Sequence, residues 1–303
     1  MMRIAHVSDL HVLALDGVPL SELLRGKRLQ GYANLTLKRR YQHDVRVASR
    51  VLREVREQRP DLVVITGDLS NLALEQEFRA ARTLIESELR LGAERLMIVP
   101  GNHDAYTRQA WIRRAFEHTF ADWLVSDEAF RSRDSDDPYP VVRIRGDVAL
   151  VGLTSAVPRG ALVASGEIGG EQLQRFARVL EHDEIRRRAL LVLVHHPITG
   201  MHGPVHVWMR GLRDARALVE CLRDRAGTLI VHGHLHRPVF HRVAVHSGEL
   251  LVSGVTSASL AQGYARHAAG YQLITREAGS WRVQAMSYDR QRDSFDAVEL
   301  RSS

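Results

Sequence analysis

Five short apolar runs, each followed directly by polar residues, constrain the fold more than any other feature of the sequence. The runs are RIAHV, LVVIT, LMIV, LLVLV and TLIV, at residues 3–7, 62–66, 96–99, 190–194 and 228–231. Short, bounded runs rich in β-branched residues are typical of strands that are buried on both faces. The sequence therefore predicts five buried strands spread over most of the chain.

Four stretches between or beside these runs carry apolar residues at helical spacing. Each repeats its apolar side chains at intervals of three and four residues, as an amphipathic helix requires. The four stripes are Ala48, Val51, Leu52 and Val55; Phe78, Ala81, Leu84 and Ile85; Leu173, Phe176, Ala177 and Leu180; and Ala215, Leu218, Val219 and Leu222. Strands that alternate with helices predict an α/β fold.

Two regions lack this alternation. Residues 141–153 have the pattern of a hairpin that turns at Gly146-Asp147. From about residue 239 to about residue 290, β-like runs follow one another without a helix, and we expect them to form part of a second, largely antiparallel sheet. No linker or internal repeat is visible, so we expect residues 1–303 to form a single domain of two mixed sheets flanked by helices. A longer segment at about residues 12–43 is predicted to be a cap-like insertion.

The polar residues after the five strands are all suited to binding a cation. They are the segments SDLH, GDLSN, PGNHD, HHP and GHLH. Because ligand sites in open α/β sheets form outside the carboxyl ends of the strands, we expect all five segments to meet at one edge. Each motif alone is explained by a strand-end hydrogen bond, but five in order are not. Gly67, Gly101 and Gly233 each precede a candidate ligand, where the lack of a Cβ allows close approach or a positive φ.

This motif series resembles that of the calcineurin-like metallophosphoesterases, and the resemblance runs from Asp9 to His236. Within that superfamily it is similar to the bacterial branch of cyclic-nucleotide and glycerophosphodiester phosphodiesterases. The resemblance implies a four-layer αββα sandwich. It also implies a dinuclear metal-dependent phosphodiesterase, in which a metal-bridged hydroxide attacks a small phosphodiester.

The resemblance further implies a set of metal ligands. Asp9, His11, Asp68 and His236 would hold one ion, and Asp68, Asn102, His195 and His234 would hold the second, with Asp68 bridging. His195 is preferred to His196 because the first residue of this motif is the ligand in the family. Carboxylate, amide and imidazole ligands suit two divalent ions of Mn, Fe, Zn or Co, among which the sequence does not choose.

The resemblance implies one catalytic histidine. His103 corresponds to the active-site histidine of the family, which lies near the leaving group. There it would stabilise charge or donate a proton, with Asp104 orienting its ring.

Substrate contacts are predicted outside the shared scaffold. The candidates are Lys27, Arg28 and Tyr32 in the insertion, and Asn71, His202 and Arg237 near the ligands. The insertion has two equally supported interpretations: a substrate-binding cap, or a helical cap packed on the body with solvated arginines. Its leucines would also suit a peripheral contact with a membrane surface.

Composition limits the remaining choices. Cys221 is the only cysteine, so an intrachain disulfide is excluded, and no apolar stretch approaches the roughly 20 residues of a membrane span. Together these features favour a cytoplasmic location. The net charge of +6 favours phosphate-bearing substrates. A nucleic-acid partner is not excluded, but the basic residues are scattered and do not favour one.

Two classes of alternative function stay open. A phosphomonoesterase or nucleotide pyrophosphohydrolase would use the same metal ligands, although lipid-precursor pyrophosphohydrolases usually have arginine where this chain has His103. A nuclease or a non-catalytic metal-binding scaffold is less well supported, because no motif of the series is missing. The sequence does not indicate the oligomeric state.

Overall fold

The computed structural model describes residues 2–23, 26–29, 31–32, 42–131, 136–160, 162–201, 203–261 and 267–300. The strands are β1 (Met2–Val7), β2 (Leu62–Ile65), β3 (Leu96–Ile98), β4 (Val141–Arg145), β5 (Val148–Gly152), β6 (Ala189–Leu193), β7 (Leu229–His232), β8 (Val239–Val245), β9 (Gly248–Gly254), β10 (Gly270–Glu277), β11 (Ser280–Asp289) and β12 (Ser294–Val298). The α-helices are α1 (Leu20–Leu23), α2 (Val45–Glu57), α3 (Glu75–Leu89), α4 (Arg108–Ile112), α5 (Ala115–Thr119), α6 (Gly170–Glu181), α7 (Asp183–Arg186), α8 (Pro204–Arg210) and α9 (Ala215–Cys221). Short 3₁₀ turns lie at Ala93–Arg95, Ala121–Trp123 and Glu128–Phe130.

The strands form two six-stranded mixed sheets. The order in the first sheet is β12-β11-β10-β1-β2-β3, and the order in the second is β4-β5-β6-β7-β9-β8. The strands β1, β2 and β3 are parallel to one another, as are β5, β6, β7 and β9. Antiparallel pairs complete each sheet.

The core lies between the two sheets and beneath the helices on both sides. Leu191 and Leu193 of β6 pack into the same cluster as residues of β1, β2 and α2. Leu190 and Val192, which alternate with them, pack instead with Phe176 of α6 and with α9. Because successive strand residues point to opposite faces, this division gives four layers in the order helix, sheet, sheet, helix.

The predicted elements and the hairpin are confirmed. All five apolar runs are strands, and all four apolar stripes are helices. In the hairpin, Arg145 pairs with Val148, and Gly146 has a φ of 56° at the turn.

The prediction that the β-rich segments after Pro238 share one second sheet is wrong. β8 and β9 extend the second sheet, with β9 beside β7, whereas β10 to β12 extend the first sheet through β1. Met2 of β1 pairs with Arg276 of β10, so residues near the two ends of the sequence are neighbours in this sheet. Alternation along a strand specifies which face is buried but not which partner supplies its hydrogen bonds, so the sequence pattern cannot assign these strands to a sheet.

The described part of the insertion packs against the loop that follows β2. Leu23 and Tyr32 lie in a small apolar cluster with Leu72, Leu74 and Tyr106. Within the residues described, no helix is long and apolar enough to cross a bilayer.

Glu77 is a buried carboxyl group in the first turn of α3. Its Oε2 accepts hydrogen bonds from the backbone N–H groups of Leu72 and Leu74, and so ties the loop after β2 to the helix. Burial raises the pKa of Glu77 from its ordinary 4.5 to about 8. The group is therefore protonated in the folded protein at neutral pH.

This raised pKa predicts a pH-dependent contribution to stability. A group whose folded pKa lies above its unfolded pKa contributes fully below pH 4.5 and loses that contribution as the pH rises toward 8. Glu77→Gln keeps a neutral acceptor for both N–H groups and removes the titration. We expect the free energy of unfolding of the wild type to fall relative to the variant between pH 5 and 8, by up to about 5 kcal/mol. Denaturant titrations of both proteins across this pH range measure the difference in free energy of unfolding. A difference that does not change with pH would contradict the raised pKa of Glu77.

Candidate metal centre

The candidate ligands lie where the strands end, on backbone that turns sharply. Five of them have positive φ values: Asp9 at 58°, His11 at 46°, Asp68 at 52°, His234 at 66° and His236 at 52°. Non-glycine residues adopt this left-handed conformation at a cost of about 1 kcal/mol or more, and such strain concentrates at functional sites. The strained turns direct these side chains toward one another at the carboxyl ends of β1, β2 and β7.

One group of side chains gathers around Nε2 of His11. This atom lies 3.8 Å from Oδ1 of Asp9, 3.8 Å from Oδ2 of Asp68 and 3.3 Å from Nε2 of His236. His236 in turn lies 3.1 Å from Oδ1 of Asp9 through Nε2. The four residues predicted to bind the first ion are therefore together.

A second group gathers around Nε2 of His195. This atom lies 3.3 Å from Oδ2 of Asp68, 3.2 Å from Oδ1 of Asn102 and 3.3 Å from Nδ1 of His234. These are the four residues predicted to bind the second ion. Oδ2 of Asp68 belongs to both groups, as the bridging position requires.

The hydrogen bonding of His195 tests whether the residues fit a metal ion. Its Nδ1 lies 2.6 Å from the carbonyl oxygen of Thr66, so Nδ1 carries the proton in the neutral ring. Nε2 then presents a lone pair to the carboxylate of Asp68 and the amide oxygen of Asn102, which are acceptors too. Buried acceptors that face one another need a positive charge between them, and a divalent ion ligated by imidazole and carboxylate supplies it.

The charge states of the side chains agree with this arrangement. Burial and the neighbouring His43 lower the pKa of His11 well below its ordinary value, and burial with the neighbouring His196 does the same for His234. Both rings are therefore neutral and able to ligate. Burial lowers the pKa of His195, but the Asp68 carboxylate outweighs this and raises it to about 9. A proton thus occupies Nε2 of His195 when no metal ion does.

His196, the neighbour of His195, has hydrogen-bond partners for both of its ring nitrogens. Its Nδ1 lies 2.7 Å from Oγ of Ser155, and its Nε2 lies 3.1 Å from the carbonyl oxygen of Ala164. Both ring nitrogens are therefore satisfied inside the protein, which favours His195 over its neighbour. His232 is buried in β7 with its pKa lowered by burial to about 4, as expected for a neutral strand histidine.

Two glycines allow the strand ends to meet. A Cβ on Gly101 would collide with the carboxylate and backbone nitrogen of Asp68, and a Cβ on Gly233 would collide with Ser8 and the carboxylate of Asp9. Gly67 has a φ of 84° and also lies against Gly101. The expectation that these glycines permit close approach is confirmed.

His103 lies beside the first group, with its ring centroid 5.1 Å from that of His11. Its Nδ1 lies 2.8 Å from the carbonyl oxygen of Asn71, and its backbone N–H donates to Oδ1 of Asp68 at 2.7 Å. The side-chain amide of Asn71 donates to the carbonyl oxygens of His11 and Val12. Asn71 therefore positions the ring of His103 and the loop after β1.

The prediction that Asp104 orients the ring of His103 is wrong. The Asp104 carboxylate accepts hydrogen bonds from the backbone N–H groups of Leu69, Ser70 and Gly101. A carboxylate saturated by backbone donors fixes loops and not a neighbouring ring. Asp104 thus joins the loops that follow β2 and β3. The backbone carbonyl of Asn71, and not Asp104, holds the ring of His103 through Nδ1.

Three residues of the insertion were predicted to contact substrate. Arg28 is buried, and its guanidinium donates to the carbonyl oxygens of Leu72 and Ala73 and pairs with Glu22. These contacts fasten the insertion to the body. Lys27 lies 4.3 Å above the ring of Tyr106, and Tyr32 is partly buried in the apolar cluster.

Three further substrate candidates were predicted near the ligands, and the contacts of one of them, Asn71, are given above. Arg237 is partly buried, and its guanidinium donates to the carbonyl oxygen of Gly200. His202 lies outside the described residues.

Two residues near the site were missed by the sequence analysis. The ring of His43 lies 4.1 Å from that of His11, and its Nδ1 lies 2.8 Å from Oγ of Ser259, which itself donates to the carbonyl oxygen of Asp9. The ring of Tyr106 stacks on His103 with centroids 5.5 Å apart. Tyr106 follows the PGNHD motif by two residues, and this position is the only sequence signal that could have placed it near the site. His43 lies far from every motif in the sequence, so no such signal exists for it.

Two known phosphodiesterases or probable phosphodiesterases are similar to this chain in sequence. The chain is 24% identical over 184 residues to a protein of Arcobacter nitrofigilis described as a probable glycerophosphodiester phosphodiesterase, covering 59% of this chain and 58% of that protein. It is 31% identical over 179 residues to a cAMP/cGMP dual specificity phosphodiesterase of Mycobacterium tuberculosis, covering 59% of this chain and 49% of that protein. The aligned part thus spans less than two thirds of either relative.

A solved structure has the same fold. The purple acid phosphatase PPD1 from yellow lupin superposes with a TM-score of 0.62 at 10% sequence identity, over 98% of this chain and 52% of that one. At this identity the likeness concerns the fold alone.

A family model described as calcineurin-like phosphoesterase matches residues 2–238, which contain all five strand ends and both groups of candidate ligands. The chain therefore belongs to the calcineurin-like phosphoesterase family.

Proposed function

We propose that this protein is a dinuclear metal-dependent phosphodiesterase that hydrolyses a small phosphodiester. The observation that carries the proposal is the convergence of two groups of lone pairs on Oδ2 of Asp68, with Nε2 of His195 at 3.3 Å and Nε2 of His11 at 3.8 Å. A shared carboxylate between two sets of ligands is the arrangement that two-metal phosphoester hydrolysis uses. Family membership and the names of the two curated relatives support the diester as substrate.

The ligands define which ions fit. Oxygen and imidazole donors without a thiolate suit Mn, Fe, Zn or Co, and we propose two such divalent ions. When bound, they would supply Lewis acidity toward the phosphoryl oxygens and a water acidified toward a pKa of about 7. Asp9, His11 and His236 would hold one ion, Asn102, His195 and His234 the other, and Asp68 both.

His103 is proposed to act on the leaving oxygen. Its Nδ1 is hydrogen-bonded to the carbonyl oxygen of Asn71, so Nε2 is the nitrogen that would act on the substrate. A backbone carbonyl that accepts from Nδ1–H also stabilises the protonated ring, which prepares His103 to donate a proton. Tyr106 stacks on this ring and restricts its motion.

The substrate class is tested by a matched pair of esters. We expect metal-analysed, Mn-loaded protein to have a higher kcat/KM for bis(p-nitrophenyl) phosphate than for p-nitrophenyl phosphate. A preference for the monoester would replace the proposal with a phosphomonoesterase. If protein that holds two ions hydrolyses neither ester, the proposal that it hydrolyses small phosphate esters is contradicted.

Asp68→Ala tests the bridging carboxylate. Because both groups lose their shared ligand, we expect fewer than two ions per chain by metal analysis after dialysis, and turnover of the bis-aryl ester lowered by at least about a hundredfold. Asp147→Ala, in the exposed turn between β4 and β5, is the matched control and should keep both ions. Two ions per chain and full activity in Asp68→Ala would exclude a bridging role.

His103→Ala tests the proton donor. We expect the metal content to be unchanged and the loss of kcat/KM to be about 10²–10⁴-fold for a phenyl ester, with a smaller loss for the p-nitrophenyl ester, because a good leaving group needs no proton. His118→Ala removes an exposed histidine outside the site and serves as the control. Equal losses on both esters would show that His103 does not act as an acid.

A further inference from the structure

A cleft of about 1110 Å³ lies between the insertion and the segment that follows His103. Its walls carry five cationic side chains and one carboxylate: Lys27, Arg28, Arg108, Arg113 and Arg159, with Glu22. The volume is slightly above the roughly 300–1,000 Å³ typical of small-molecule sites. The excess of positive charge distinguishes this cleft from an ordinary solvated groove.

Two of these cations already have structural partners. Arg28 is held by Glu22 and by backbone carbonyls, and Arg159 pairs with Glu167 at 2.8 Å. Lys27, Arg108 and Arg113 differ, because across the described ranges their side chains form no ion pair or hydrogen bond. Within the part of the chain that the structure describes, three cations without an ion pair or hydrogen bond therefore line one cleft.

The cleft adjoins the metal centre through Tyr106. The Tyr106 ring lines the cleft and carries Nζ of Lys27 at 4.3 Å from its centroid. The same ring stacks on His103, and the ring of His103 lies 5.1 Å from that of His11. The Tyr106 ring therefore lies against both the cleft and the histidine beside the candidate metal centre.

We propose that this cleft binds a second phosphate group of the substrate, so that the preferred substrates are small molecules with two phosphate groups. The inference rests on the proposed function, since it assumes that the scissile phosphate lies at the metal centre. Arg108 and Arg113 can meet the oxygens of a phosphate with two parallel hydrogen bonds each. A diester with a cationic leaving group, such as choline, is disfavoured by the same charges.

The state of Lys27 supports this assignment. Burial lowers the pKa of Lys27, and no carboxylate among the described residues pairs with it. An anion in the cleft restores a counter-charge to this ammonium group. The π-face of Tyr106 offers it only a weak substitute.

Binding of two nucleotides that differ by one phosphate tests the inference without relying on turnover. We expect calorimetry on Mn-loaded protein to give a Kd for adenosine 3′,5′-bisphosphate at least about tenfold lower than for adenosine 5′-monophosphate. The variant with Lys27→Gln, Arg108→Gln and Arg113→Gln should bring the two Kd values together. A matched variant with Arg216→Gln, Arg282→Gln and Arg290→Gln removes the same charge from exposed positions outside the cleft and should keep the preference.

The outcomes separate this inference from the proposed function. Equal Kd values in the wild type, or an equal loss of preference in both triple variants, would overturn the cleft as a phosphate site. Turnover of bis(p-nitrophenyl) phosphate by the same wild-type preparation reports on the proposed function alone. If the protein turns over this ester but binds both nucleotides equally, the proposed function stands and the proposed second phosphate site is overturned.

Discussion

The Asp68 carboxylate is the group on which the candidate metal centre depends. Its Oδ2 faces imidazole nitrogens of both ligand groups, and its Oδ1 accepts the backbone N–H of His103. Burial raises the pKa of Asp68, but His195 and His103 lower it well below its ordinary range, so the group is ionised. A buried anion is costly unless positive charge lies beside it, and either a proton on His195 or a bound metal ion supplies that charge here. The arrangement of the surrounding loops follows from that requirement.

Hydrogen bonds from outside the ligand groups hold this arrangement together. Ser257 and Ser259 both donate to the carbonyl oxygen of Asp9, at 2.7 and 3.0 Å, and so hold the strained turn after β1. Asp104 does the same for the turns after β2 and β3 through their backbone N–H groups. A preorganised shell of this kind keeps the ligands in place when no ion is bound, since the protein and not the metal balances the backbone strain.

The sequence predicts the parts of this structure that depend on local pattern. The strand ends SDLH, GDLSN and GHLH each combine a buried run with its own candidate ligands, so Asp9, Asp68 and His234 could be found without a structure. Three other features depend on contacts distant in sequence. The pairing of β10 with β1, the fastening of Arg28 to Leu72 and the contact of His43 with His11 leave no local signal. The role of Asp104 was mistaken for a related reason, because adjacency to His103 in sequence does not determine which donors its carboxylate meets.

On the two proposals made above, the candidate metal centre would perform the hydrolysis, and the cationic cleft would bind the second phosphate of the substrate. The strand ends form the centre from the shared scaffold, whereas Lys27 and Tyr106 bring the insertion and the loop after His103 together beside it. On this account the scaffold determines the chemistry, and the added segment determines which molecules reach it. Differences in substrate among proteins with this fold would then arise mainly in the segment between β1 and α2.

Electron paramagnetic resonance of protein loaded with two equivalents of Mn²⁺ tests the central claim most directly. A carboxylate shared by two ions places them close enough for magnetic exchange, so we expect a coupled dinuclear signal and two Mn per chain. Asp68→Ala should convert this signal to that of isolated Mn²⁺. A wild-type spectrum of isolated ions, or a stoichiometry of one per chain, would contradict a centre built around Asp68.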